Sequence, residues 1–286
     1  MKVFSIFLIG LFISINLQAQ SLTKTINGFS HPESIVVQNG YLYISNIGQK
    51  LQPTAKDEDG FISKVDLSSF SIEQLHYLPQ LHAPKGLAIV QNTLYVADID
   101  RLLGFDLTNR KQVFELSLED AKYLNDIVVK NKQTLFVSAT KTGKIARVDL
   151  RENSYQYLNI PKIKGANGLA LSDDKAKLFC VGFGQNNKPN GSIVKIDLSQ
   201  LEMEKVSSYQ GYLDGIQYQN NELFFSDWKD FKKKGVLNKL DLNSEKVTLL
   251  SLEELMAGPA DFSIYNRGNQ FIVPALLENK VYIIEQ

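Results

Sequence analysis

The stretch PKGLAIVQNTLYVADIDRLLGFDLTNRKQVFELSL, residues 84–118, holds four short apolar or alternating runs separated by turn residues. The second run opens Leu94-Tyr95 and is almost continuously apolar. The third ends in Phe105-Asp106-Leu107, and the fourth alternates as a half-exposed strand does. Runs of four to eight residues with such punctuation are strands rather than helices.

The pattern recurs along the chain. Leu-aromatic strands begin at Leu42, Leu94, Leu135, Leu178 and Leu223, with a degenerate copy at Gln270. Strands ending in apolar-Asp-Leu place their aspartates at Asp66, Asp106, Asp149, Asp197 and Asp241, spaced 40, 43, 48 and 44 residues apart. That period is one propeller blade. Each unit opens with a shorter inner strand: PESIVV from Pro32, PKGLAI from Pro84, LNDIVV from Leu124, ANGLAL from Ala166, LDGIQY from Leu213 and PADFSI from Pro259. Doubly apolar second strands suit sheets covered on both faces, as radially stacked blades are. The expected fold is all-β: a six-bladed β-propeller of four-stranded antiparallel blades, with no helix of consequence.

The last unit has room for only three strands before the chain ends. LTKTIN from Leu22 is expected to supply its outer strand, closing the ring and removing exposed edges. Ahead of it, Lys2 and an apolar run of about 15 residues lead to Ala19-Gln20, which reads as a cleavable signal peptide over residues 1–19. The domain is then residues 20–286, and the mature protein is expected to be periplasmic or secreted.

Lys+Arg and Asp+Glu both total 31, so the formal net charge is zero. A balanced chain without a basic stripe argues against nucleic acid as partner, and no later stretch reaches membrane-spanning length. The expected partner is a small molecule, with a monomer favoured. Cys180 is the only cysteine, which excludes an intrachain disulfide; it reads as a buried small apolar residue.

Antiparallel topology brings the starts of all six inner strands to one mouth of the central channel. The aligned residues there are Glu33, Lys85, Asn125, Asn167, Asp214 and Ala260. Two carboxylates and two carboxamides from four blades form an oxygen set of the kind hard divalent cations take. Singly, each of these residues is also an ordinary turn former before a strand, Glu33 least so. The same face gathers the second-strand ends Asn46, Asp98, Asp100, Thr140, Asp227, Trp228 and Pro274, with long loops at 47–60, 182–191 and 227–235. Asp98 and Trp228 are candidate substrate contacts there, Trp228 equally able to pack against a blade. His31 and His82 lie in inter-blade loops on this face and could shuttle protons; the commoner reading of loop histidines is no role. No His/Cys zinc spacing, phosphate loop or nucleophile elbow is present.

The motifs PES, LND, ANG and LDG at successive inner strands resemble the family of gluconolactonases, senescence marker protein and luciferin-regenerating enzyme. More distantly they resemble paraoxonases and strictosidine synthase-like proteins. The resemblance implies a six-bladed propeller with one divalent cation at the channel mouth, Ca2+ first and Zn2+ as the alternative. It assigns Glu33, Asn167 and Asp214 as metal ligands. Asn125 matches a position that binds substrate in the lactonases and metal in the paraoxonases, and Asp214 one proposed as general base.

Two positions depart from the family. Tyr123 stands where the lactonases carry an arginine that grips substrate. Lys85 stands where the paraoxonase-like members place a histidine. A ring lysine repels a divalent cation and could instead pair with Glu33 or Asp214; it could also grip substrate or act as base. The leading expectation is a metal-dependent lactone or ester hydrolase with Asp214 or Glu33 as base. The alternative is a non-catalytic propeller binding a small molecule, peptide or glycan, with Lys85 ion-paired in the central ring. A condensing enzyme of the strictosidine synthase type comes third.

Overall fold

The computed structural model describes residues 21–118, 120–250 and 255–285. The signal-peptide reading of residues 1–19 lies outside the described residues.

Six antiparallel sheets stand around one axis, each ordered from an innermost to an outermost strand. Blade 1 runs Pro32–Gln38, Tyr41–Asn46, Gly60–Asp66 and Ser71–Leu81. Blades 2, 3, 4 and 5 open with Pro84–Val90, Leu124–Asn131, Ala166–Leu171 and Leu213–Gln219 respectively. Blade 6 holds Ser263–Tyr265, Gln270–Ala275 and Lys280–Glu285, and its outermost strand is Ser21–Asn27, antiparallel to Lys280–Glu285. The closure read from Leu22 therefore stands, with Ile26 buried against Val281 and Ile283. Two 3-10 turns, Asn266–Gly268 and Leu276–Glu278, are the only helical elements among the described residues.

The second strands are buried on both faces, as their apolar runs require; Tyr41–Asn46 has one half-buried residue and five buried ones. Their side chains fill the wedges between blades, so each apolar cluster spans two neighbouring units. Cys180 is one of these fillers, its thiol pushed up to about 12 by burial and thus inert at neutral pH.

The inner strands differ from simple hairpin partners in one respect. In blades 1 to 5 the ladder skips two residues at the start of the inner strand, so the ring residue and its successor leave the register. This bulge turns Glu33, Lys85, Asn125, Asn167 and Asp214 out of the sheet toward the axis. It also strands a backbone N–H. In blades 1, 3 and 5 a second-strand serine accepts it: Ser34 N–H donates to Ser45 Oγ at 2.9 Å, Asp126 N–H to Ser138 Oγ at 2.9 Å and Gly215 N–H to Ser226 Oγ at 2.8 Å. The serine of the LYIS, LFVS and LFFS signatures is thus part of the ring's support.

Blade 6 is the irregular one. PADFSI from Pro259 was expected as a continuous inner strand, but only Ser263–Tyr265 pairs as a ladder, with an isolated bridge from Pro259 to Ala275. Pro259 has no N–H to donate, and the Ala260 N–H alone reaches the Pro274 carbonyl, at 3.0 Å. Met256–Ala257 adds a short pairing to Lys233–Asp241 that the repeat pattern did not indicate.

Candidate functional site

The bulges deliver Glu33, Asn125, Asn167 and Asp214 to one level of the channel, each only 3 to 4% exposed. Close blade approach fixes them there. A Cβ on Gly86 would stand 2.3 Å from the Asn125 carbonyl oxygen, and one on Gly168 would stand 2.4 Å from that of Asp214. Those glycines let adjacent inner strands touch, which explains PKG and ANG without any need for turn chemistry.

Each of the four residues keeps one buried oxygen without a hydrogen-bond partner: Glu33 Oε2, Asn125 Oδ1, Asn167 Oδ1 and Asp214 Oδ1. Unpaired buried acceptors are costly, and these four are all acceptors. The Trp228 indole N–H and the Asn167 amide lean toward Asp214 and draw its pKa down, without completing hydrogen-bond geometry at Trp228 Nε1 or Asp214 Oδ1. Burial, then Asp261, wins over them and raises the Asp214 carboxyl to about 8. Burial and the nearby Asp214 likewise raise Glu33 well above the carboxylate range. Among the described residues no three His, Cys, Asp or Glu side chains converge with metal-ligand spacing. A cation here would depend on the two carboxamide oxygens as well as the two carboxylates. The donor set is all oxygen and fits a hard divalent ion, Ca2+ better than Zn2+.

A second tier lies one residue further along the strands, and the register reading missed it. Asp126 Oδ1 accepts the Ile127 N–H and its Oδ2 accepts the Leu169 N–H, both at 2.6 Å, tying blade 3 to blade 4. Asp261 Oδ2 accepts the Ser34 hydroxyl at 2.6 Å and its N–H donates to the Glu33 carbonyl at 2.9 Å, tying blade 6 to blade 1. Ala260 leaves the upper ring empty in blade 6, and Asp261 restores a carboxylate one step below. Asp261 Oδ1 is the fifth buried oxygen of the channel without a partner. The only sequence signal was an aspartate immediately after the aligned position in LND and PAD.

Lys85 is fully buried, but the expected ion pair in the ring is not formed. Its ammonium donates to the carbonyls of Pro53 and Ala83, both at 2.9 Å, and sits 4.5 Å from the Tyr123 ring centroid. Three donor directions are thereby used, with the 47–60 loop brought over the channel. Burial lowers Lys85 to about 8, opposed by the charges of Glu33 and Asp98.

Asp98 is turned onto its own inter-blade loop. Its carboxylate accepts the His82 and Ala83 N–H groups and a two-pronged contact from Arg101, whose Nη2 lies 2.8 Å from Oδ2. With its lone pairs engaged and no exposed surface, Asp98 staples an inter-blade loop. Asp227 does the equivalent in blade 5 through the Tyr209 hydroxyl and the Lys229 N–H. His31 Nδ1 meets the Gly48 carbonyl at 2.8 Å, and His82 Nδ1 accepts the Glu58 N–H.

Trp228 packs in an apolar group with Ile47, Ala83, Ile99, Tyr212 and Leu276 that roofs the ring. Phe183 meets Trp228 edge-on at 5.1 Å, and Phe231, 56% exposed, lies 5.7 Å from it. An aromatic cluster with Phe231 at its exposed edge thus lies on the same face as the polar ring.

No family model matches the chain, and no curated protein matches it. Solved structures share its architecture, these two among them. Hydrazine synthase of Kuenenia stuttgartiensis aligns at TM-score 0.63 and 15% identity, over 87% of this chain and 75% of that one. A structural genomics protein of unknown function from Bacteroides thetaiotaomicron VPI-5482 aligns at TM-score 0.67 and 10% identity, over 93% of this chain and 73% of that one. At such identities the likeness extends to the fold alone.

Proposed function

We propose that this propeller binds one divalent cation, Ca2+ by preference, at the channel mouth and hydrolyses a lactone or ester there. The observation that carries the reading is the set of four unpartnered buried oxygens, on Glu33, Asn125, Asn167 and Asp214, all at one register of four blades. The resemblance of PES, LND, ANG and LDG to the gluconolactonase family points the same way. When bound, the cation would supply positive charge to polarise a carbonyl oxygen.

The chain's own groups have separable roles. Asp214 is the general base: the carboxylate oxygen not given to the cation takes the proton from the attacking water, with Trp228 and Asn167 the groups that lean toward it. Glu33 is the other candidate for that proton. Asn125 holds a substrate oxygen. Lys85 reaches substrate only if it gives up the Pro53 carbonyl.

A second reading has one observation in its favour. The oxygen ring lies almost wholly buried beneath Ile47, Ile99, Trp228 and Leu276, with Tyr123 where the family's gripping arginine would stand. That arrangement suits a non-catalytic receptor for a small molecule, peptide or glycan. Metal content of the purified protein and turnover of a lactone panel, with and without chelator, decide between them. One Ca2+ per chain and chelator-sensitive turnover, both lost in Asp214→Asn, support the hydrolase. Bound metal without turnover supports the receptor, and a chain that takes up no metal overturns the cation site itself.

A further inference from the structure

The channel is also open at its opposite end. A cavity of about 520 Å³ lies there, lined by inner-strand residues of all six blades. Its walls combine apolar side chains from the far halves of those strands, among them Val37, Ile89, Val129 and Leu171, each half-buried, with a larger share of polar surface. Asp126 and Asp261 also line it, 3% and 6% exposed. At the rim Asp173 and Lys175 offset one another in charge.

Apolar side chains beside convergent polar groups recur in small-molecule sites, and this volume is in the usual range. The polar groups here are unequal. Both Asp126 oxygens are held by backbone N–H groups, Ser263 Oγ donates to the Ile35 carbonyl and Gln217 Nε2 to the Phe262 carbonyl. Asp261 Oδ2 has the Ser34 hydroxyl, while Asp261 Oδ1 has no partner. A divalent cation seeks about six to eight oxygens, whereas the buried carboxylates here offer one without a partner, Asp261 Oδ1. An ammonium group needs few acceptors, and an alkyl chain behind it would bury against the strand walls.

We propose that this opposite-face cavity is a second binding site, for a small organic ammonium ion with an alkyl tail, whose charged head is received by Asp261. The cavity opens on the face opposite the cation ring, with Asp261 between the two.

The test uses n-hexylammonium as probe at about pH 8.5, where the Asp261 carboxyl is ionised, followed by methyl chemical shifts of the full chain, with hexan-1-ol and CaCl2 as comparisons. The expected result is saturable perturbation of the Val37 and Ile89 methyls by hexylammonium, and at least about tenfold weaker binding of the uncharged alcohol. Asp261→Asn should weaken hexylammonium binding by a similar factor. Ile89→Lys, at a half-buried wall position that spares the ring, should abolish binding by placing its own ammonium in the cavity. Equal binding of alcohol and amine, retained binding in Ile89→Lys, displacement by millimolar Ca2+, or no perturbation at these methyls would each overturn the proposal.

Discussion

Lys85 and Tyr123 are stacked at the channel mouth, the ammonium 4.5 Å from the ring centroid, and its remaining hydrogens are spent on the Pro53 and Ala83 carbonyls. The charge is therefore stabilised without consuming either ring carboxylate. It still opposes any cation placed among Glu33, Asn125, Asn167 and Asp214, at the reduced dielectric of a buried site.

Lys85→Met should consequently tighten Ca2+ binding by about tenfold, the equivalent of about 1.4 kcal/mol of relieved repulsion. The same change releases the Pro53 carbonyl, so amide exchange in the 49–59 loop should accelerate. Isothermal titration with Ca2+ and hydrogen-exchange mass spectrometry read the two effects separately. Weaker Ca2+ binding in the variant would mean that Lys85 shapes the site rather than opposing the ion.

The acid–base behaviour of the metal-free protein has a definite sign. Burial raises Asp214 to about 8 and Asp261 to about 7, so in the folded state both hold protons that the unfolded chain has lost. Their contribution is unfavourable above pH 8 and is relieved as pH falls from about 8 toward 4, where the unfolded carboxyls also protonate. In chelator, the thermal midpoint should thus rise on acidification from pH 8 to pH 5. Lys85, lowered to about 8, acts in a different window: its burden is present below pH 8 and fades as pH rises toward 10.5. Saturating Ca2+ should raise the midpoint more at pH 8 than at pH 5. A midpoint in chelator that falls steadily from pH 8 to pH 5 would contradict this assignment of charges.

Asp98 should behave as a structural residue. Asp98→Ala strands the His82 and Ala83 N–H groups and leaves Arg101 unpaired, at a cost of about 3 kcal/mol in urea unfolding. Calcium affinity should be unchanged within about twofold. An affinity loss larger than the stability loss would restore Asp98 to the site.

The contrast between Asp98 and Asp214 shows what was readable in the chain and what was not. Repeat spacing fixes a blade and a register, so the ring residues could be aligned without coordinates. Register says nothing about how a lone pair is used. Asp98 and Asp214 are both aspartates at strand ends on one face, yet Asp98 turns back to its own loop while Asp214 keeps a free oxygen. Asp126 and Asp261 escaped because the bulges carry two residues per blade toward the axis, whereas a single aligned position was read. The Lys85 orientation depends on the Pro53 carbonyl, 32 residues away in a loop without a repeat signature. Ring closure by the N-terminal strand was legible because a strand count alone demanded it.

That closure and the glycine contacts at the axis stabilise the ring from its two ends, and their loss should differ in kind. Removing residues 21–27 strips the outer strand from Lys280–Glu285 and uncovers Val281 and Ile283; the buried Ile26 alone is worth about 2 kcal/mol. Gly86→Ala instead forces a Cβ to within 2.3 Å of the Asn125 carbonyl oxygen and 2.5 Å of the Asp126 Cα, backbone atoms that yield only if two blades separate. The truncation should lower stability by at least about 3 kcal/mol while leaving Ca2+ affinity, measured well below the new midpoint, within about threefold. Gly86→Ala should cost a similar amount of stability and also weaken Ca2+ by about tenfold or more, because Asn125 moves with the strand it displaces. If both variants lose stability and keep full affinity, the ring oxygens are not the ion's ligands.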